Sequence, residues 1–478
     1  MSNDKLFKDF PPVLAGQLKK RILKDLNGDE YGTVLWRTMD ELIFEPFYTI
    51  EDLEQSEIKN HKPGVHPFLR GNQKAGNEWE IRQDVKVSDS LSANKKALDI
   101  LNKGITSIGF ITDSAEINEL LKDVLIEYLE INFINSQRSQ EILKNLILIS
   151  EERNLNPLQL KGSVNYEPLA EMLSKGNLEN TWEAQSALIA QELIEGGFTF
   201  FRGINISGDI FHNAGASIVQ ELAFTLAQGN EYLVSLTNKF NIDQIAPVLQ
   251  FTYSTGSSYL MEIAKIRAAR LLWAKIIEQY KPQHDCTSAT YIHCKTSEYT
   301  LTVADAYNNL LRATTQTMSA AIAGANAISV SPFDAATKDP EEFSERLARN
   351  IQIICAEEAF LNKVADPAGG SYYLEKLTES IAQAAWDLFR VIESKGGYIA
   401  ACQEGFIQNE IEETAKHRKQ ALSDGNEVMV GVNKYINKTE DISSFNKNQE
   451  AVLEKDCDFK VLRKVKAEEF LSQGTSSR

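Results

Sequence analysis

What most constrains this chain is an alternation of short β-rich apolar runs with long stretches of helical spacing. The region around residue 200 displays it most clearly. Phe198 to Ile206, opened by Gly196-Gly197, is too short and too β-branched at its end for a helix and reads as a buried strand. Ser207-Gly208-Asp209 is turn chemistry. From Asn213 onward, Ala216, Val219, Leu222, Ala223 and Leu226 recur at helical spacing until Gln228-Gly229-Asn230 stops the run. In parallel βα architectures the turn leaving a strand sits at the C-terminal mouth of the sheet, where sites are built. Residues Ser207 to Asn213 are therefore the first place to look for chemistry.

Further candidate strands are Thr106 to Ile111, Tyr128 to Ile134, Gly162 to Tyr166, Val248 to Ser254, Ala289 to Lys295 and Ala327 to Ser331, with the short Val364 to Pro367 as an eighth. Helical patterns separate most of them, such as Ile263, Ile266, Ala269, Trp273, Ile276 and Tyr280 on one face. About eight such repeats over ~300 residues predict a closed (β/α)8 barrel, an α/β TIM barrel, rather than an open sheet. The barrel is assigned to residues 79–400. Residues 1–78 form an N-terminal arm with a helix over Leu14 to Leu26, short strands at Val34 to Thr38 and Leu42 to Pro46, and a Gly- and Pro-rich loop from His61 to Gly76. Residues 401–478 read as a helical tail, with a polar stretch from Asp441 to Asp456, a helical stub over Val461 to Phe470 and a frayed end.

Fifty basic against sixty-seven acidic residues leave a net charge of −17 with no basic block, which argues against nucleic acid as a partner. No apolar run approaches the ~20 residues that span a bilayer, and the first residues lack a signal-peptide core. A cytoplasmic protein that meets no membrane is expected. The five cysteines are scattered without a C-x-x-C, so they read as buried or idle thiols rather than disulfides or zinc ligands.

Taken singly, the polar candidates are weak. None of the six histidines stands in a metal-binding spacing. His212 in the strand-mouth turn and His293 in the sixth strand could both face the mouth, though a lone strand histidine is more often a satisfied core or rim residue. Asp366-Pro367-Ala368-Gly369-Gly370-Ser371 could wrap an anion with backbone N–H groups, but a plain turn explains it more simply. Arg267 and Arg270 on one helix read as a solvated or salt-bridged face.

Several long segments together resemble the methylmalonyl-CoA mutase family, the adenosylcobalamin-dependent acyl-CoA mutases. They are SGDIFHNAGASIVQELAFTLAQGNEYL at 207–233, MEIAKIRAARLLWAKI at 261–276, LTVADAYNNLLR at 301–312, the run at 341–378 that ends in ADPAGGSYYLEKLT, and VGVNKY at 430–435. The opening FPPVLAGQLKKRILKDLNG is similar to the family's N-terminal arm. The resemblance implies a barrel whose axis is threaded by the pantetheine arm of coenzyme A. It further implies cobalamin held against the C-terminal mouth by a separate flavodoxin-like domain. The cofactor supplies the radical, and the barrel supplies shielding and orientation.

Where the family places its working residues, this chain departs. The R-Q-Y-A-G-F-S motif becomes Arg82-Gln83-Asp84, losing the tyrosine, and S-G-Y-H becomes Ser207-Gly208-Asp209-Ile210, losing the histidine. A-P-R becomes Ala246-Pro247-Val248, the sixth-strand glutamine becomes Lys295, and T-Q-S-L-H-T-N becomes the run from Ala325 through Asn326 to Ser331. The segment A-F-D-L-P-T is cut short after Thr112-Asp113, and the cobalamin motif D-x-H-x-x-G occurs nowhere. The resemblance thus implies an isomerase subunit without catalytic residues, cofactor or metal of its own, paired with a large catalytic subunit that carries adenosylcobalamin. Lys175, His293, Lys295 and Ser329 remain as candidate remnants of a pocket. Two other readings stand beside it. One is an active acyl-CoA mutase that borrows cobalamin from a separate protein, with His293 and Lys295 as polar contacts. The other is a non-enzymatic acyl-CoA binder.

Overall fold

The computed structural model describes residues 13–54, 56–112, 114, 116–134, 137–437 and 457–469. The polar stretch from Asp441 to Asp456, the chain's last residues and Asp113 lie outside them. In the arm, a helix over Ala15–Asp25 precedes two short antiparallel strands, β1 (Trp36–Arg37) and β2 (Ile43–Phe44). The remaining eight strands are β3 (Glu80–Lys86), β4 (Ser107–Ile111), β5 (Glu130–Ile134), β6 (Lys161–Tyr166), β7 (Phe201–Ser207), β8 (Leu249–Thr255), β9 (Tyr291–Thr296) and β10 (Ala327–Ser329). They pair in parallel in chain order, and β10 closes on β3 to complete the predicted barrel.

Val364 to Pro367 is not a strand; the missing one is β3, at the start of the barrel. Its sequence, EIRQDVK, carries charge where a buried strand is expected to be apolar. The reason lies in the barrel interior, which is polar. Arg82 and Asp84 point inward, whereas Val85 packs among the residues between strands and helices. Alternation is present, but its polar face is the buried one.

The apolar core lies in the shell between strands and helices. The helix Ile218–Leu236 is buried almost throughout because it packs against both Tyr259–Gln279 and Tyr372–Ser394. Its start is set by Ser217, whose hydroxyl accepts from Gln220 N (3.2 Å) while the Gln220 side chain accepts from Ser217 N (3.1 Å).

Arg267 and Arg270 do not form a solvated face, since both are buried. Arg267 pairs with Glu375 (2.9 Å), and Arg270 donates to the carbonyls of Phe68, Leu69, Ala323 and Gly324, fastening the 61–76 segment to the barrel. The 366–371 loop does hold an anion, and it is the protein's own: Gly370 N donates to Glu375 Oε1 (2.8 Å). Burial of both arginines on an otherwise helical apolar face is what periodicity alone could not reveal.

The helix Phe406–Ser423 fits the expected tail, but the stub expected over Val461 to Phe470 is different. Residues 461–466 are irregular and run along the barrel as a strap. Leu462 N donates to Leu173 O (2.7 Å), Val465 N to Asn213 O (2.8 Å) and Ala467 N to Tyr299 O (3.0 Å). Barrel loops thus satisfy backbone groups that a helix would have paired internally, while Phe459, Val461 and Ala467 are buried.

Gly162 in β6 adopts φ +138, and a Cβ there would collide with the backbone carbonyl of Ile131. Replacement by alanine is expected to lower stability by about 2–3 kcal/mol. Urea denaturation checks this, and an unchanged midpoint would contradict it.

Candidate active site

At the C-terminal mouth, strand ends deliver charged side chains. Arg82 Nε donates to Asp84 Oδ1 (2.9 Å), so Asp84, which the resemblance sets in the tyrosine's place, is held by its own strand. Gly109 on the neighbouring β4 makes room, because any Cβ there would meet both partners. Across the mouth, Lys295 Nζ lies 3.0 Å from Asp209 Oδ2. Burial pulls the Lys295 ammonium down, but Asp209, Asp84 and Glu167 together raise it above its usual value. Glu167 follows β6 and accepts from Asn205 Nδ2 (2.8 Å) and from the Ser207 hydroxyl. Burial, only partly offset by those bonds, raises its carboxyl.

The sequence-derived remnants separate. His293, Lys295 and Ser329 come together: His293 Nε2 lies 2.8 Å from Ser329 Oγ, and Ser329 registers with Lys295. Burial first, then Arg82 and Lys295, push His293 well below its ordinary value, so it is a neutral imidazole. Lys175 does not join them. It pairs with Glu171 (2.7 Å) at the end of Pro168–Lys175 and borders a separate cleft. Nor does His212 face the mouth, being buried with Nε2 2.7 Å from Ser297 Oγ.

The substituted positions are also split. Asp84, Ile210 and Lys295 lie at the mouth end, Ile210 in the short helix Asp209–Asn213 that follows β7. Val248 and Asn326 do not. Val248 precedes β8, and Asn326, bonded through its side chain to Ile292 N (2.9 Å), precedes β10. Both stand at the N-terminal end, so neither position grips a group at the mouth. Linear motifs show substitution but not which end of a strand a residue occupies.

Beneath the mouth the axis is filled. Asn132 Nδ2 donates to Ser107 Oγ (3.0 Å), Ser163 Oγ to Asn132 Oδ1 (2.8 Å), Gln250 Nε2 to Asn165 Oδ1 (2.9 Å) and Thr252 Oγ1 to Asn205 Oδ1 (2.8 Å). At the N-terminal end the Tyr291 hydroxyl of β9 donates to the Glu130 carboxylate of β5, strands on opposite sides of the closed barrel. This bond crosses the bore. The Arg202 guanidinium lies 3.7 Å from the centre of the Tyr291 ring, thickening the plug. Burial, then Glu130, raises the Tyr291 phenol well above its usual value, which keeps it a donor.

A cavity of about 520 Å³ remains at the mouth, with Arg82, Asp84, Lys295 and Ser329 on one side and Ala348 and Arg349 of the helix Glu342–Glu357 on another. Arg82 and Arg349 are the residues that sequence reasoning passed over. Arg349 sits inside a quoted family-like segment and Arg82 was named only as the start of an altered motif, and burial of an arginine is invisible in a linear motif. Among the described residues no group of three His, Cys, Asp or Glu is placed to hold a metal, and no helix is long and apolar enough to cross a membrane.

The family model described as methylmalonyl-CoA mutase matches residues 37–117 and 110–473. The methylmalonyl-CoA mutase small subunit of Porphyromonas gingivalis is 38% identical over 91% of this chain and 72% of its own length. The methylmalonyl-CoA mutase of Cereibacter sphaeroides is 34% identical over 87% of this chain and 64% of its own. The mitochondrial enzyme of Homo sapiens is 33% identical over 87% of this chain, which spans 60% of that protein.

Proposed function

Because the chain belongs to the methylmalonyl-CoA mutase family, we propose that it is a catalytically silent barrel subunit. Its partner would be a large subunit that carries adenosylcobalamin and isomerises methylmalonyl-CoA to succinyl-CoA. The observation that carries this reading is the Tyr291–Glu130 bond across the bore. The pantetheine arm expected along the axis would have to break it, displace Arg202 and separate the polar layers above. Each buried polar group left unpaired costs about 1–3 kcal/mol, so opening the bore is expensive.

Adenosylcobalamin supplies a carbon radical when bound, but the mouth residues do not suit it. His212 and His293 are buried with Nε2 committed to serine hydroxyls, and Ile210 has no donor to offer a thioester carbonyl. What this chain's mouth does is pair charge with charge, Arg82 with Asp84 and Lys295 with Asp209. That stabilises a closed barrel rather than a reacting acyl group.

The arm is the proposed contact with the large subunit. The helix Ala15–Asp25 has no buried residue, and Leu14, Leu18, Leu23, Trp36 and Ile43 are all exposed. Such an apolar face gains stability only against another surface. A cytoplasmic location is proposed with it.

Purified alone, the chain is expected to turn over no methylmalonyl-CoA and to retain no cobalamin absorbance. Co-expressed with a longer relative bearing R-Q-Y-A-G-F-S, S-G-Y-H and D-x-H-x-x-G, it should co-purify as a stable pair. Turnover by the single chain, or failure to pair, would overturn the reading.

A further inference from the structure

The mouth cavity keeps a specific imbalance after its side chains have paired internally. Asp84 accepts from Arg82 Nε, yet Arg82 Nη1 and Nη2 are buried without any partner. Arg349 stands on the outer side of the same strand, with Nη1 on Gln83 Oε1 (2.9 Å) and Nη2 3.7 Å from Glu342, so its charge is answered there although its Nε is buried and unpartnered. Both side chains belong to the cavity wall and are only 1% and 2% exposed. Besides these donors, Gln352 Oε1 and the His293 Nδ1 of the neutral imidazole are also buried and unpartnered. The acids around the cavity have partners or are exposed: Asp84 accepts from Arg82 Nε, Glu342 lies 3.7 Å from Arg349 Nη2, Glu345 binds Lys96 (2.6 Å), Glu298 binds Lys464 (2.8 Å), and Asp339 is exposed. What Arg82 Nη1 and Nη2 lack is an acceptor.

The rest of the wall says what the acceptor is attached to. Ile111, Ile134, Val330, Pro332, Pro340 and Ala348 form an apolar side to the same space. A volume of about 520 Å³ falls within the range of ordinary small-molecule sites. Inorganic phosphate would satisfy the donors and leave the apolar wall uncovered. A neutral hydrocarbon would do the reverse.

We propose that the mouth cavity binds a small free carboxylic acid with an apolar body, its carboxylate on the Arg82 guanidinium and its carbon chain along Ile111 and Ile134. A guanidinium fork suits a carboxylate, and donors already buried gain the bond without further desolvation. The acid enters from the mouth, because the axis is crossed below. This rests on the silent-barrel reading only in taking a free acid rather than a coenzyme A ester.

Calorimetry on the intact chain tests it with four probes: hexanoate, 1-hexanol, inorganic phosphate and hexanoyl-CoA. Hexanoate should bind about tenfold or more tightly than hexanol or phosphate, and Arg82→Lys should weaken it by about tenfold. If Arg82→Lys does not fold, Ser331→Trp at the cavity rim should block hexanoate instead. No heat with hexanoate at ~10 mM, or equal binding of hexanol or phosphate, overturns the inference and leaves the silent-barrel reading untouched. Hexanoyl-CoA binding more tightly than hexanoate overturns that reading as well.

Discussion

Lys265→Met is expected to lose about 3–5 kcal/mol of stability at neutral pH, with the loss shrinking as the pH falls. Lys265 Nζ lies 2.6 Å from both Glu221 Oε2 and Glu262 Oε2, and all three side chains are essentially inaccessible. It also donates to Ser254 O (2.7 Å), and Glu221 Oε1 accepts Ser254 N (2.9 Å), so the cluster ties helix Ile218–Leu236 to β8. Removing the one ammonium strands two buried carboxylates, with only His212 Nδ1, 3.4 Å from Glu221, nearby.

The sign of the pH dependence follows from Glu221. Burial alone would raise its carboxyl, but Lys265 and His212 hold it below its ordinary value of 4.5. In the native protein its contribution is therefore present above about pH 4.5 and lost as the pH drops through the folded value. In the variant burial goes unopposed and the folded value rises, so the cost is largest at high pH and relieved by protonation. Urea denaturation from pH 7 down to 4.5 checks this. A gap between native and variant protein that stays constant with pH would refute it.

Glu375→Ala should cost a similar amount, about 3–5 kcal/mol, but without relief at any moderate pH. Glu375 is fully buried and binds Arg70 (3.0 Å), Arg267 (2.9 Å) and Gly370 N (2.8 Å). Its loss leaves two guanidiniums sharing Asp366, which lies 2.9 Å from Arg70 and 3.4 Å from Arg267. A guanidinium cannot shed its proton to escape burial, whereas a carboxylate can accept one. The two variants should therefore destabilise equally near neutrality and diverge on acidification. Glu375→Gln, which keeps an acceptor for Gly370 N, should fall between Glu375→Ala and the native protein. Parallel pH-resolved denaturation would decide it, and a matching recovery of Glu375→Ala at low pH would count against the account.

Most of the barrel was legible in advance because most of its strands bury an apolar face. Strands β4 to β10 lie within a few residues of the runs picked out by periodicity. Strand β3 escaped because its inward residues are charged, and Val364 to Pro367 took its place because it is apolar and short. That Asp84, Ile210 and Lys295 fall where the resemblance marks substituted positions was equally plain in the linear motifs. That Val248 and Asn326 lie at the other end of the barrel was not, and neither was the seclusion of Lys175 from His293.

Local spacing and side-chain type, on their own, determined the (β/α)8 class and the helix of the arm. Such features depend on neighbours a few residues apart, and sequence records those directly. Tertiary structure alone decided that Tyr291 and Glu130 meet across the bore, that Arg267 is neutralised by Glu375, and that Arg82 keeps unpaired donors. Each of these joins residues from separate βα units. Closure of the sheet sets their distance, and no pattern along the chain encodes which charge will find which partner once water is excluded.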